Sequence, residues 1–254
     1  MARVTGDIKL EGTIDDITFY KMEGRYLARR KGGVTGKQFK TSPAFHRSRI
    51  SSDAFGRASK GARIFRRAFA SLLKDFPCPR LNSRLTGVMV KAFLDGGENQ
   101  NIEHAVHAKN LRVMEGFEFS KKALFGEFFQ APYEVVINGE TGEARILIPG
   151  FIPSDYLVNA GNATHFRFHA AFAAIDFKTA RHQMVRTETD PILFGSQQEQ
   201  ALVLSMTLTD RELSDLPLFL VLGVEFSRKV LQRFFSVDGG IYNALRIIRV
   251  DAAE

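Results

Sequence analysis

The chain has 254 residues, 44% of them apolar and 25% charged, an ordinary balance for a globular protein with a real core. Its 23 Phe stand against 5 Tyr and no Trp, which places the rings in cores and interfaces rather than in sugar-stacking or lipid-interface sites. A single cysteine, Cys78, excludes an internal disulfide framework and a cysteine-based zinc cluster. The net charge of +7 is divided unevenly: residues 1–94 hold 20 Lys and Arg against 7 Asp and Glu, whereas residues 95–254 hold 15 against 21. Such asymmetry marks a cationic arm that faces a polyanion, or the acidic part of another copy.

The opening MARVTGDIKL has no apolar signal core behind its basic start, so the expectation is a protein cytoplasmic at synthesis, without a membrane partner. IKLEGTI and ITFYKMEGRYLARRK alternate polar with apolar or aromatic residues, and Glu23-Gly24 predicts a hairpin turn between strands. KGGVTGK reads as a flexible exit, and Ser42-Pro43 as a helix start, with Ser as cap and Pro at the first helical position. One long helix is expected from Pro43 to Lys74, about 45 Å at 1.5 Å per residue. Its apolar face holds Ile50, Ala54, Phe55, Ala58, Gly61, Ala62, Phe65, Ala68, Phe69, Leu72 and Leu73. Arg49, Lys60, Arg63, Arg67 and Lys74 fall within roughly 60° on the opposite side. Gly56 and Gly61 weaken this helix and are expected to permit close packing.

FPCPR (Phe76 to Arg80) breaks the helix, because two prolines in four residues cannot continue it. A second helix, Leu81 to Leu94, completes a helical hairpin. DGGENQN (Asp95 to Asn101) is the clearest linker. Beyond it the hydrophobic period changes to two, in FEF, YEVVING-ETG-EARILIPG, HFRFHAAFAAIDF, EQALVLSMTLT, LPLFLVLGVEF and NALRIIRV. Val135 to Ile148 is expected to turn back around Asn138 to Gly142. The run from Leu216 to Phe226 is too short to cross a bilayer and suits a buried strand. The expected fold is α+β: an N-terminal β-hairpin and helical hairpin followed by an antiparallel β-sandwich, with domains at 1–95 and 96–254.

Motifs that carry chemistry are mostly missing. KGGVTGK fails as a phosphate loop, since Lys31 stands where Gly is needed and Gln38 where Ser or Thr is needed. His165 and His169 share one face of a strand and His104 and His107 form another close pair, yet neither has further ligands nearby. Asp176, the nearest carboxylate to His169, has the wrong strand parity. Cys78 lies between two prolines near Lys74 and Arg80, as either a somewhat reactive thiol or an incidental turn residue. Asp15-Asp16 reads as a solvated turn pair, and Asn162-Ala163-Thr164 matches a glycosylation acceptor without a secretory signal. No catalytic, cofactor-binding or metal-binding residue is assigned, and no cofactor is expected.

The basic helix is the feature with functional weight. Its cations serve as a solvated outer face, dock onto an acidic protein surface, or track phosphates. Against plain solvation, Asp53 is the only acid between Pro43 and Lys74, so the usual interspersed charge pairs are missing.

The stretches GTIDDITFYKMEGRYLAR (Gly12 to Arg29), KGGV, SPAFHRSR, FGRASKGARIFRRAF, MEGFEF, ATHFRF, AAIDF, LFLVLGVEF and YNALRIIRVDA resemble an uncharacterised family of Bacteroidota proteins of similar length. The resemblance runs end to end and implies no substrate, cofactor or catalytic residue. HFRFH departs from it at the second histidine.

The function expected from these readings is a non-enzymatic, self-assembling structural subunit of a filament, tube or phage-like particle. In it, the cationic N-terminal module meets the acidic sandwich of another copy. The extended segment with Phe19, Tyr20, Tyr26 and Leu27 would add strands to a neighbour's sheet edge. The alternative is a nucleic-acid-binding protein that uses Arg49, Lys60, Arg63, Arg67 and Lys74 as phosphate contacts. A third reading is an enzyme with a site assembled from scattered residues around His165 and His169.

Overall fold

The computed structural model describes residues 2–4, 9–30, 32–94, 108–210 and 216–252. The DGGENQN linker and the His104/His107 pair lie outside the described residues. In chain order the strands and helices are β1 (Ala2–Arg3), β2 (Gly12–Ile14), β3 (Ile17–Met22), β4 (Arg25–Arg30), α1 (Gly36–Thr41), α2 (His46–Ala68) and α3 (Leu81–Leu94). They continue as α4 (Phe125–Phe128), β5 (Glu134–Asn138), β6 (Glu143–Phe151), α5 (Pro153–Tyr156), β7 (His165–Ile175) and β8 (His182–Glu188). The remainder are β9 (Ile192–Leu193), β10 (Gln200–Thr207), β11 (Leu218–Val230), β12 (Arg233–Ser236) and β13 (Ala244–Asp251). This is the expected mixture of helices and antiparallel sheets. The chain divides into two compact units, residues 1–52 and 53–254; composition alone places a boundary at 95.

The first unit is a four-stranded antiparallel sheet in the order β1-β4-β3-β2. Glu23 and Gly24 both have positive φ, the conformation that suits a two-residue hairpin turn to the right-handed twist of its strands. Asp15 and Asp16 make the β2–β3 turn, where Asp16 Oδ2 accepts from Arg30 Nε at 2.6 Å. Rather than a flexible exit, Gly36–Thr41 is helical, because the Thr35 hydroxyl accepts from the Gln38 N–H at 3.2 Å and caps it.

The second unit is layered. Its six-stranded antiparallel sheet has β7 and β11 at the centre, paired along ten residues from Leu218↔Ala174 to Ser227↔His165. β8 and β9 lie on the far edge of β7, and β13 and β12 follow one another along the far edge of β11. A three-stranded sheet, β10-β6-β5, covers one face: Ile146, Ile148, Leu204 and Met206 pack with Phe166, Phe168, Phe172, Leu220 and Leu222. The helical hairpin covers the other: Phe65, Phe69, Leu72, Phe76, Leu85 and Met89 pack with Ala171, Ala173, Phe219, Val221 and Ile247. The central strands are therefore buried on both faces, which is why HFRFHAAFAAI and LFLVLGVEF read as near-continuous apolar runs. Phe supplies most of the largest fully buried side chains, each contributing about 1.5–3 kcal/mol.

Three expectations fail locally. The long helix stops at Ala68; Lys74 belongs to a separate 3-10 turn, Leu72–Lys74. The Ala70 N–H reaches back only to Arg67, and the Ser71 carbonyl is taken by Arg186 Nη1 at 3.2 Å. Ser42 starts the helical segment but offers no side-chain cap; Pro43–Phe45 forms a 3-10 turn before α2. Phe55 and Gly56, placed by periodicity on or near the packing face, are exposed, and the space beside Gly56 is empty.

Candidate functional site

On the basic helix, Lys60, Arg63 and Arg67 are exposed along α2 and Lys74 is exposed on the following turn. None of these four ion-pairs with another described residue. Arg49 differs. It is half-buried, and its Nη1 donates to the carbonyls of Phe39 at 2.7 Å and Ser42 at 2.9 Å. It thereby closes the exposed carbonyl end of α1.

The four aromatic and apolar residues assigned to strand contacts, Phe19, Tyr20, Tyr26 and Leu27, lie within the N-terminal sheet, on β3 and β4. Alternation divides them. Lys21 opposes Tyr26 and Phe19 opposes Ala28, which puts Phe19 and Tyr26 on one face. Tyr20 opposes Leu27 on the other. Cations sit over the rings: Lys21 Nζ and Lys9 Nζ over Tyr26 at 5.5 and 5.6 Å, and the Arg29 guanidinium over Tyr20 at 5.5 Å. None of the described side chains of residues 4–52 is buried. Ile14, Ile17, Met22 and Val34 are exposed. Phe19, Tyr20, Tyr26 and Leu27 are half-buried, and a sheet with no fully buried described side chain has little hydrophobic stabilisation of its own.

His169 is 2% exposed on the helix-facing side of β7. Its Nε2 donates to Glu225 Oε2 at 2.8 Å. Nδ1 lies 3.3 Å from Glu188 Oε2 but is poorly aligned and makes no hydrogen bond. Arg167 Nη1 holds Glu188 at 2.9 Å, while Arg186 bridges Glu188 at 3.1 Å and Asp75 at 3.0 Å. Phe76 meets the His169 ring edge-on, with centroids 5.2 Å apart, in space left by Gly223, the residue opposite His169 on β11. A Cβ at Gly223 would lie 2.9 Å from the Phe76 ring and 2.7 Å from the Ala244 carbonyl oxygen. Burial works to raise the Glu188 carboxyl, but Arg186's hydrogen bond and the charges of His169 and Arg167 hold it below its usual value. The carboxylates already carry arginines, and the histidine is sealed from solvent. The cluster is suited to tying β7, β8 and β11 to the turn after α2, not to turning over a substrate.

Sequence reasoning found His169 but missed Arg167, Arg186, Glu188, Glu225 and Asp75. A signal was present: Arg167 and Glu225 interrupt otherwise apolar strands at the same parity as His169 and Gly223. Only the pairing of β7 with β11 brings the two interruptions together. His165 stays apart from the cluster, half-buried, with Nδ1 2.9 Å from Thr164 Oγ1 and Phe234 edge-on at 5.1 Å. Burial and the Lys229 charge push its pKa down. Asp176 is taken up by its own turn, accepting from the N–H groups of Lys178 and Thr179.

Cys78 donates to the Phe76 carbonyl at 3.0 Å, and burial pushes its thiol up to about 11 despite the nearby Arg84. Among the described residues, no three His, Cys, Asp or Glu side chains form a group that could hold a metal ion, and no helix is long and apolar enough to cross a membrane. Comparison with protein families, curated proteins and solved structures finds no match.

Proposed function

We propose that the protein is a non-enzymatic structural subunit that assembles with further copies of itself into a filament, tube or phage-like particle. The observation that carries this reading is that none of the described side chains of the N-terminal sheet is buried. Its half-buried Phe19, Tyr20, Tyr26 and Leu27 and its exposed Ile14, Ile17 and Met22 gain further hydrophobic stabilisation when another surface covers them. The charge division gives that surface a sign: the 20 cations against 7 acids of residues 1–94 suit the 15 against 21 of residues 95–254 on another copy. Light scattering on nuclease-treated protein tests it. Large, nucleic-acid-free assemblies that dissociate as salt rises are expected, and a monomer at every salt concentration would sink the reading.

The second reading, non-specific nucleic-acid binding, is favoured by Lys60, Arg63, Arg67 and Lys74, four exposed cations that ion-pair with no other described residue. It requires retention of DNA or RNA that weakens steeply with salt.

A further inference from the structure

β11 runs past the end of β7. Its last pair with β7 is Ser227↔His165, and residues 228–230 pair only with β12. The hairpin that results carries an unusual tip, with Leu231 91% exposed and Val230, Phe234 and Phe235 exposed as well. β12 is also an open edge. No backbone group of Arg233 to Ser236 hydrogen-bonds to a described residue other than through β11. The collinear strand β13 differs, because its outer edge is covered by residues 116–119: Gly116 N–H donates to Ile247 O, and Phe119 N–H to Leu245 O. β12 contains no proline and no bulge, and the edge protection it does have is its four-residue length and the charge of Arg233.

We propose that two copies of this chain join edge to edge through β12 across a twofold axis, so that their six-stranded sheets continue into one. The two-residue turn Leu231–Gln232 makes Val230 and Arg233 a hydrogen-bonded pair of the hairpin. By alternation, the backbone groups of Phe234 and Ser236 then point outward. A twofold between antiparallel strands requires one residue to oppose its own mate. Ser236 is the N-cap of the 3-10 segment Val237–Gly240, so its carbonyl turns into that segment. This removes Ser236 as the centre, and Phe235 as well, since that register needs Ser236 to bond the partner's Phe234. Phe234 is therefore the centre. This register sets Phe234 beside the partner's Phe234 on one face. On the other face it sets Arg233 beside the partner's Phe235, a cation against a ring rather than against a cation. The strand is thus complementary to itself, which makes a second copy the occupant that fits.

This contact concerns the same self-association as the assembly reading but depends on backbone bonds and apolar side chains, so salt separates the two. In ~1 M salt, where charged contacts are screened within about 3 Å, light scattering is expected to give twice the 28.5 kDa chain mass. Phe235→Lys is expected to halve it, with the circular dichroism spectrum unchanged because the ring is exposed. Under mild oxidation, Phe234→Cys should form a covalent dimer and Phe235→Cys should not, since only residue 234 opposes itself. A monomer at high salt with large assemblies at low salt overturns edge pairing and leaves the charge-driven reading standing. A salt-resistant dimer that never grows supports edge pairing and removes the charge-driven reading. A dimer that persists in Phe235→Lys, or equal cross-linking of the two cysteine variants, overturns the edge and register proposed.

Discussion

His169 shows how a buried polar group is kept in an apolar layer. Its one aligned hydrogen bond, to Glu225, offsets part of the cost of removing the ring from water. The arginines then neutralise the carboxylates that serve it. Because the Glu188 carboxyl is held below its usual value, its contribution is present above the unfolded value and is lost as pH falls through the folded one. Glu188→Gln should therefore lower the urea midpoint at pH 7. The difference from wild type should shrink as pH falls past the usual glutamate range and through the lower native value, where the folded carboxyl is itself protonated. A difference independent of pH would mean that the loss is packing rather than charge. Cys78 makes a second test at this scale. With its thiol pushed up to about 11, reaction with a disulfide reagent at pH 8 should be more than ~100-fold slower than that of a free cysteine.

At the scale of elements, α2 separates what periodicity reveals from what only packing decides. Phe55 and Phe65 both fall on the apolar stripe, yet Phe55 is 59% exposed and Phe65 is fully buried against Phe219, with ring centroids 5.2 Å apart. Phe65→Ala should cost about 3–5 kcal/mol, whereas Phe55→Ala should stay within ~0.5 kcal/mol, as read from denaturant midpoints. The stripe predicts a face but not where along the helix the covering sheet ends. Strong patterns were legible: the Glu23-Gly24 turn, the Asn138 to Gly142 turn, and the two central strands. β8 and β12 were not. HQMVRTE mixes polar residues on both sides of an edge strand, and RFFS is too short to show a period. Both take their conformation from ladder bonds to β7 and β11, which no local pattern records.

For the whole molecule, the charge division was legible in composition, but what each cation already bonds was not. Arg49 is spent on the carbonyls of Phe39 and Ser42, whereas Lys60, Arg63, Arg67 and Lys74 are exposed and ion-pair with no other described residue. Reversing Lys60, Arg63 and Arg67 to Glu should abolish salt-sensitive association and leave the denaturant midpoint nearly unchanged, because all three are exposed. Loss of assembly together with a lowered midpoint would instead indicate that the helix was damaged.

The layering also sets an order of events. The apolar face of the helical hairpin, residues 58–92, is covered largely by β7, β11 and β13, and β11 and β13 lie in the last fifth of the chain. During synthesis the helices therefore emerge long before the strands that cover them. Until β11 arrives, β7 lacks its longest partner, and until β13 follows, residues 116–119 have no edge to bond. Closure of this core waits for nearly the whole chain, and the nascent helices spend the interval with Phe65, Phe69 and Leu72 unshielded, at the stage when a chaperone would hold them.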